Sequence, residues 1–215
     1  MADHFKLSPS TINLFCDCPR CFYLHMKMKL SRPRGIFPSL PGGIDRVLRA
    51  YFDKYRDKGE LPPNMKGLVP GKPVKELPGQ LKYYDEGLAA QLSGKLDELL
   101  EMDDGTYSVL DFKTRGSSPN EMIPAYQNQM DLYTFLLDKN TYKMNGSAYL
   151  AYFFPKSADG NNFEFELEIK KLSVDTGNAK KLFSDAVKTL QTEQIPDPDP
   201  ECEYCAFEYK RRDLK

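Results

Sequence analysis

The sequence predicts a single α/β domain. Three observations carry that expectation. Apolar residues recur at three- and four-residue steps in some segments and alternate strictly in others, and an Asp103-Asp104-Gly105 turn separates two strand-like runs. The 215 residues also suit one core, since a chain of this size buries about 70% of its surface on folding.

Ser8-Pro9 has the form of a cap followed by proline in the first helical turn, opening a helix through Ile12, Leu14 and Phe15 towards Cys16. A second apolar run starts at Cys21, after Pro19. The basic cluster Lys27, Lys29, Arg32 and Arg34 then falls among turn formers, as a loop would. Behind Gly42-Gly43, the residues Ile44, Val47, Leu48, Tyr51, Phe52 and Tyr55 have helical spacing. Residues 61–80 hold five prolines and three glycines without a period, which predicts an irregular loop or flap.

From Leu88 to Leu100 the leucines fit either a helical stripe or an alternation. Gly94 would cost a helix interior about 1 kcal/mol relative to alanine, which favours one strand. After the turn, Tyr107 to Lys113 is a second strand and completes a hairpin. Tyr126 to Leu137 is helical, with Tyr126, Met130, Tyr133 and Leu137 as its apolar stripe and Gln129 beside it. Ser147 to Phe154 suits a central buried strand, and the alternation from Phe163 to Ile169 suits a half-exposed one near the sheet edge. A last helix spans roughly Thr176 to Leu190, and Pro196 to Pro200 forms an extended spacer before Cys202.

Thirty basic and 31 acidic residues exclude a bulk polycation, so any nucleic-acid contact has to be local. Lys27, Lys29, Arg32, Arg34, Arg46, Arg49 and Arg115 are candidates for phosphate contact, and Tyr83, Tyr84 and Tyr126 for stacking on bases. The sequence has no run of 18 apolar residues, and the first residues lack the basic-then-apolar layout of a secretory signal. A cytoplasmic protein without membrane partners is expected.

Asp111 and Lys113 project from one face of their strand while Phe112 enters the core. Hairpin pairing could bring the Asp97 carboxylate close to Asp111. Two such acids at the rim of a core invite a hard divalent cation, Mg²⁺ or Mn²⁺, which lowers the pKa of a bound water and polarises a phosphoryl oxygen. Lys113 could orient that water. Gln129 and Tyr133 stand one helical turn apart and could reach the same cleft. The Asp-x-Lys triplet alone means little, because Asp213-Leu-Lys215 repeats it in the tail. Its weight comes from the ordered set of Asp97, the triplet and Gln129-x-x-x-Tyr133.

With these motifs and the opening LSPSTINLFCDCPRCFYL, the chain resembles the PD-(D/E)XK nuclease superfamily in its RecB-like branch, which includes CRISPR-associated exonucleases and AddB-type nuclease domains. The resemblance implies a restriction-endonuclease-like core over residues 1–215, with a central mixed sheet flanked by helices. It implies a Mg/Mn-dependent deoxyribonuclease acting on single strands or DNA ends, with proteins of a DNA repair, recombination or CRISPR system as partners. Asp97, Asp111 and the Phe112 carbonyl would hold the metal, Lys113 would serve the attacking water, and Gln129 and Tyr133 would support the lysine and the DNA. The family often places a histidine on the early helix; His4 and His25 both lie outside it, and Asp45 stands in a comparable place as a candidate ligand. A non-catalytic nucleic-acid-binding subunit is the alternative.

Cys18-Pro-Arg-Cys21 and Cys202-Glu-Tyr-Cys205 are two C-x2-C pairs, each able to grip one metal centre and together able to clip residues 16–21 to 202–205. Spacing alone does not separate zinc from an iron–sulfur cluster. The resemblance implies a [4Fe-4S] cluster, with zinc as the alternative. Cys16 is a spare or alternative ligand for that centre, and otherwise is expected to be buried beside Phe15.

Overall fold

The computed structural model describes residues 4–33 and 39–214. Its first strand, β1 (Phe5–Leu7), is followed by α1 (Pro9–Asp17) and α2 (Pro19–Met28). Ser8 and Thr11 close a reciprocal capping box at the start of α1, as the Ser-Pro pair predicts. Cys18 ends α1 and caps α2, so the chain turns there without a separate loop. Cys16 is exposed rather than buried, because α1 turns Pro9 and Ile12 into the core and stops at Asp17.

Helix α3 (Ser39–Arg56) begins before the predicted boundary and takes Gly42 and Gly43 into its early turns, with Pro41 in the first turn where it displaces no helical hydrogen bond. Only Phe52 of this helix is buried, and Val47 is 69% exposed. Residues 61–80 contain a short 3-10 turn (Pro63–Met65) and a two-residue strand, β2 (Lys72–Pro73). Leu61, Met65 and Val69 anchor the segment in a core beside Phe52.

The single strand expected from Leu88 to Leu100 is two strands in two sheets. The first is β4 (Ala90–Gly94), which pairs antiparallel with β3 (Leu81–Asp85) and parallel with β1. The second is β5 (Glu98–Glu101), which forms the predicted hairpin with β6 (Tyr107–Thr114) across a turn where Gly105 has φ 74°. The chain then passes through α4 (Pro124–Lys139) and returns as β7 (Met144–Asp159), parallel to β6. β8 (Asn162–Ser173) folds back antiparallel on β7 and is an edge strand. The larger sheet has the order β2-β5-β6-β7-β8, so β7 is interior, as its double-sided apolar sequence requires. α5 (Thr176–Gln191) starts from the Asp175 cap, and α6 (Glu203–Asp213) from Cys202.

This architecture is an α/β fold with a mixed, curled sheet flanked by helices, consistent with a restriction-endonuclease-like core. One apolar cluster joins the sheets to residues of α1, α2, α4 and α5; a smaller one lies beneath α3. β6 runs between the two, and each of its faces meets a different core.

Candidate active site and thiolate centre

The alternation of β6 separates its residues. Leu110 and Phe112 face the α3 side, where the Phe112 ring stacks on Phe52 with centroids 4.1 Å apart. Only the backbone of Phe112 remains on the other side. Asp111 and Lys113 face α4. Lys113 Nζ lies 2.5 Å from Asp111 Oδ2, donates to Gln129 Oε1 at 2.8 Å and stands 4.6 Å over the Tyr126 ring. Gln129 Nε2 donates in turn to Tyr133 Oη at 3.3 Å. The lysine is thus held by an acid, an amide and an aromatic face.

Asp97 sits in the crossing from β4 to β5. Glu98 pairs with Leu110, a register that sets Asp97 alongside Asp111. The Phe112 N–H donates to Asp97 Oδ2 at 3.3 Å, and Arg49 Nη2 lies 2.5 Å from Oδ1. Arg49 Nε also donates to Asp45 Oδ2 at 2.9 Å, so Asp45 reaches this cluster through a guanidinium rather than directly. Gly94 lets α4 approach: a Cβ there would lie 2.9 Å from Tyr133 Cε1 and 3.0 Å from Leu136 Cδ1.

Burial pushes the Asp111 carboxyl up to about 6; Lys113 draws it back and the Asp97 charge raises it further. Its Oδ2 is buried with no aligned hydrogen-bond donor despite the lysine contact. An oxygen-rich pair of acids, one with an unsatisfied buried oxygen, is chemically suited to a hard divalent cation. Burial also raises the Tyr133 hydroxyl, although Gln129 counteracts it.

On the opposite face, Glu98 is 1% exposed and paired with Arg56, Nη2 to Oε2 at 2.9 Å. Sequence reasoning missed that pair and the bridging role of Arg49. The i,i+4 spacing of Asp45 and Arg49 signals their contact, but no local pattern signals the contact with Asp97. Several candidates for nucleic-acid contact are otherwise engaged. Lys27 bonds Tyr23 Oη and the Thr192 carbonyl, Arg32 pairs with Asp17, and Tyr83 packs on Phe135 and Phe183. Lys29 closes α2 with φ 57°, Arg46 is exposed, and Arg34 lies outside the described residues.

The four paired cysteines converge. Sγ of Cys21 lies 3.7 Å from that of Cys202 and 3.6 Å from that of Cys205; Cys18 and Cys205 are 3.9 Å apart. Burial would raise the Cys18 thiol, but hydrogen bonds from the Cys21 and Asp199 N–H groups and from neighbouring thiols bring it down to about 7. Such a group can hold a metal.

A family model for the PD-(D/E)XK nuclease superfamily matches residues 38–209. Among solved structures, the crystal structure of SSO0001 superposes with a TM-score of 0.54 at 15% identity, covering 97% of this chain and 87% of that one, a likeness of fold. No curated protein matches the chain.

Proposed function

Because the chain belongs to the PD-(D/E)XK nuclease superfamily, whose members are generally hydrolytic nucleases, we propose that it is a Mg²⁺- or Mn²⁺-dependent deoxyribonuclease of the RecB-like branch. Single strands or DNA ends are the proposed substrates, and proteins of a DNA repair, recombination or CRISPR system the proposed partners, in the cytoplasm. The observation that carries the reading is the grip on Lys113, whose ammonium meets Asp111 Oδ2 at 2.5 Å and Gln129 Oε1 at 2.8 Å.

Asp97, Asp111 and the Phe112 carbonyl are the proposed metal ligands, with Asp45 as a further candidate. A bound divalent ion would supply Lewis acidity to a phosphoryl oxygen and acidify a water. Lys113 positions the attacking water and offsets charge on the phosphate. Gln129 fixes the ammonium, and Tyr133 fixes Gln129. The water gives up a proton to solvent as its oxygen forms the new bond to phosphorus, the bond to the leaving oxygen breaks, and that oxygen takes up a proton from solvent.

A second reading, a non-catalytic nucleic-acid-binding subunit, draws support from Arg49, whose guanidinium already neutralises Asp97 and Asp45. Assays of the purified chain on single- and double-stranded DNA and RNA with Mg²⁺ or Mn²⁺ separate the two. The nuclease reading expects DNA cleavage that Lys113→Ala lowers by at least a hundredfold, with DNA binding retained. Binding without cleavage by the wild-type chain supports the subunit; equal cleavage by the Lys113→Ala chain refutes the assigned site.

A further inference from the structure

We infer that Cys18, Cys21, Cys202 and Cys205 bind one zinc ion and not an iron–sulfur cluster, an inference from thiolate geometry that stands or falls independently of the nuclease reading. In a tetrahedral site with sulfurs about 2.3 Å from a single ion, the sulfurs lie about 3.8 Å from one another. The distances of 3.6, 3.7 and 3.9 Å fit that figure, and all four sulfurs lie within 4.8 Å of each other.

A [4Fe-4S] cubane requires a different arrangement. Each thiolate binds its own iron and points away from a separate corner, so the inorganic core stands between the sulfurs and spreads them beyond the spacing of ligands on one ion. A two-iron cluster likewise parts one pair of thiolates from the other. The observed cradle leaves no such space, and the cluster implied by the family resemblance does not fit these residues.

The two halves of the cradle are built alike. Cys18 caps α2 and Cys21 is the third residue of that helix; Cys202 caps α6 and Cys205 is its third residue. Each C-x2-C pair therefore folds over the first turn of a helix, and both partly positive helix ends point at the sulfurs. Four thiolates on a divalent ion carry net negative charge. Arg32, with Nη2 3.5 Å from Cys202 Sγ, and the Asp199 N–H, 3.5 Å from Cys18 Sγ, offset part of it. The family match begins at residue 38, so Cys18 and Cys21 lie outside it and only the later pair lies within. The set is two pairs from the two ends of the chain, an arrangement common in closed structural zinc sites.

The test is metal analysis of the full chain purified anaerobically, with zinc, iron and acid-labile sulfide measured together. Cobalt exchange serves as a second readout on the unaltered protein. About one zinc per chain, no sulfide, and the absorption of tetrahedral thiolate-bound Co²⁺ are expected. Cys16→Ser should keep that signature, while Cys205→Ser should weaken zinc binding at least tenfold. Stoichiometric iron, with or without sulfide, or a folded chain that binds no metal, overturns the inference. These readouts need no DNA, so an inactive nuclease leaves the result intact.

Discussion

Asp111 makes the metal-free protein less stable as the pH rises through the acid range. Its carboxyl titrates near 6 in the fold, against a reference value of 3.8, because it is 2% exposed and faces the Asp97 charge. Between about pH 4 and pH 6 the folded chain therefore keeps a proton that the unfolded chain has released, and increasing pH favours unfolding. A tenfold difference in proton affinity between the two states corresponds to about 1.36 kcal/mol, so the full loss is about 3 kcal/mol and is complete a little above pH 6. Urea denaturation in chelator from pH 4 to 7.5 measures it. Asp111→Asn is the comparison that removes the contributions of other groups, buried Glu98 among them. The wild-type chain should lose about 2.4 kcal/mol of that relative to Asp111→Asn across this range, since part is already lost by pH 4, and saturating Mg²⁺ should abolish the loss by favouring the ionised form. Parallel wild-type and Asp111→Asn curves would refute the picture of a buried acid held ready for a cation.

Two further outcomes test the supports of the site. Gly94→Ala forces a methyl group against the buried Tyr133 ring and should cost about 1–3 kcal/mol, or roughly 2–12 °C in Tm for a domain of this size, with cleavage falling further than stability explains. Calorimetry beside a nuclease assay reads both, and an unchanged Tm would mean that α4 is not seated as closely as described. Arg49→Ala removes a cation that competes for Asp45 and Asp97, so Mn²⁺ should bind about fivefold more tightly, equivalent to about 1 kcal/mol. Titration calorimetry without DNA decides; weaker binding would show that Arg49 assists the site.

The separation between legible and hidden features follows interaction range. α4 was readable because its stripe repeats within one helix, and the β5–β6 hairpin because its turn carries its own chemistry at Asp103 to Gly105. The shared face of Asp111 and Lys113 was readable because strand alternation alone sets it. The break at Lys95 to Asp97 was not, since alternation continues through it and only the docking of Tyr133 on Gly94 reveals the change of sheet. β1 was missed because its three residues gain their partner, β4, from far along the chain. α6 was missed because, among its described residues, only Cys205 turns inward, beside its cap Cys202; Phe207 is 69% exposed. The bridge from Arg49 to Asp97 likewise depends on how α3 lies against the sheet, which no local period encodes.

The two sides of β6 are completed at different times during synthesis. Its antiparallel neighbour β5 precedes it directly in the chain and leaves the ribosome first, but the parallel neighbour is available only once Phe153 has emerged, after α4. Until then Asp111 and Lys113 sit on an open margin without Gln129 or Tyr133 fixed above them. A nascent chain thus carries both charges before the contacts that hold the lysine are in place, and this corner of the fold is completed as a late step of assembly.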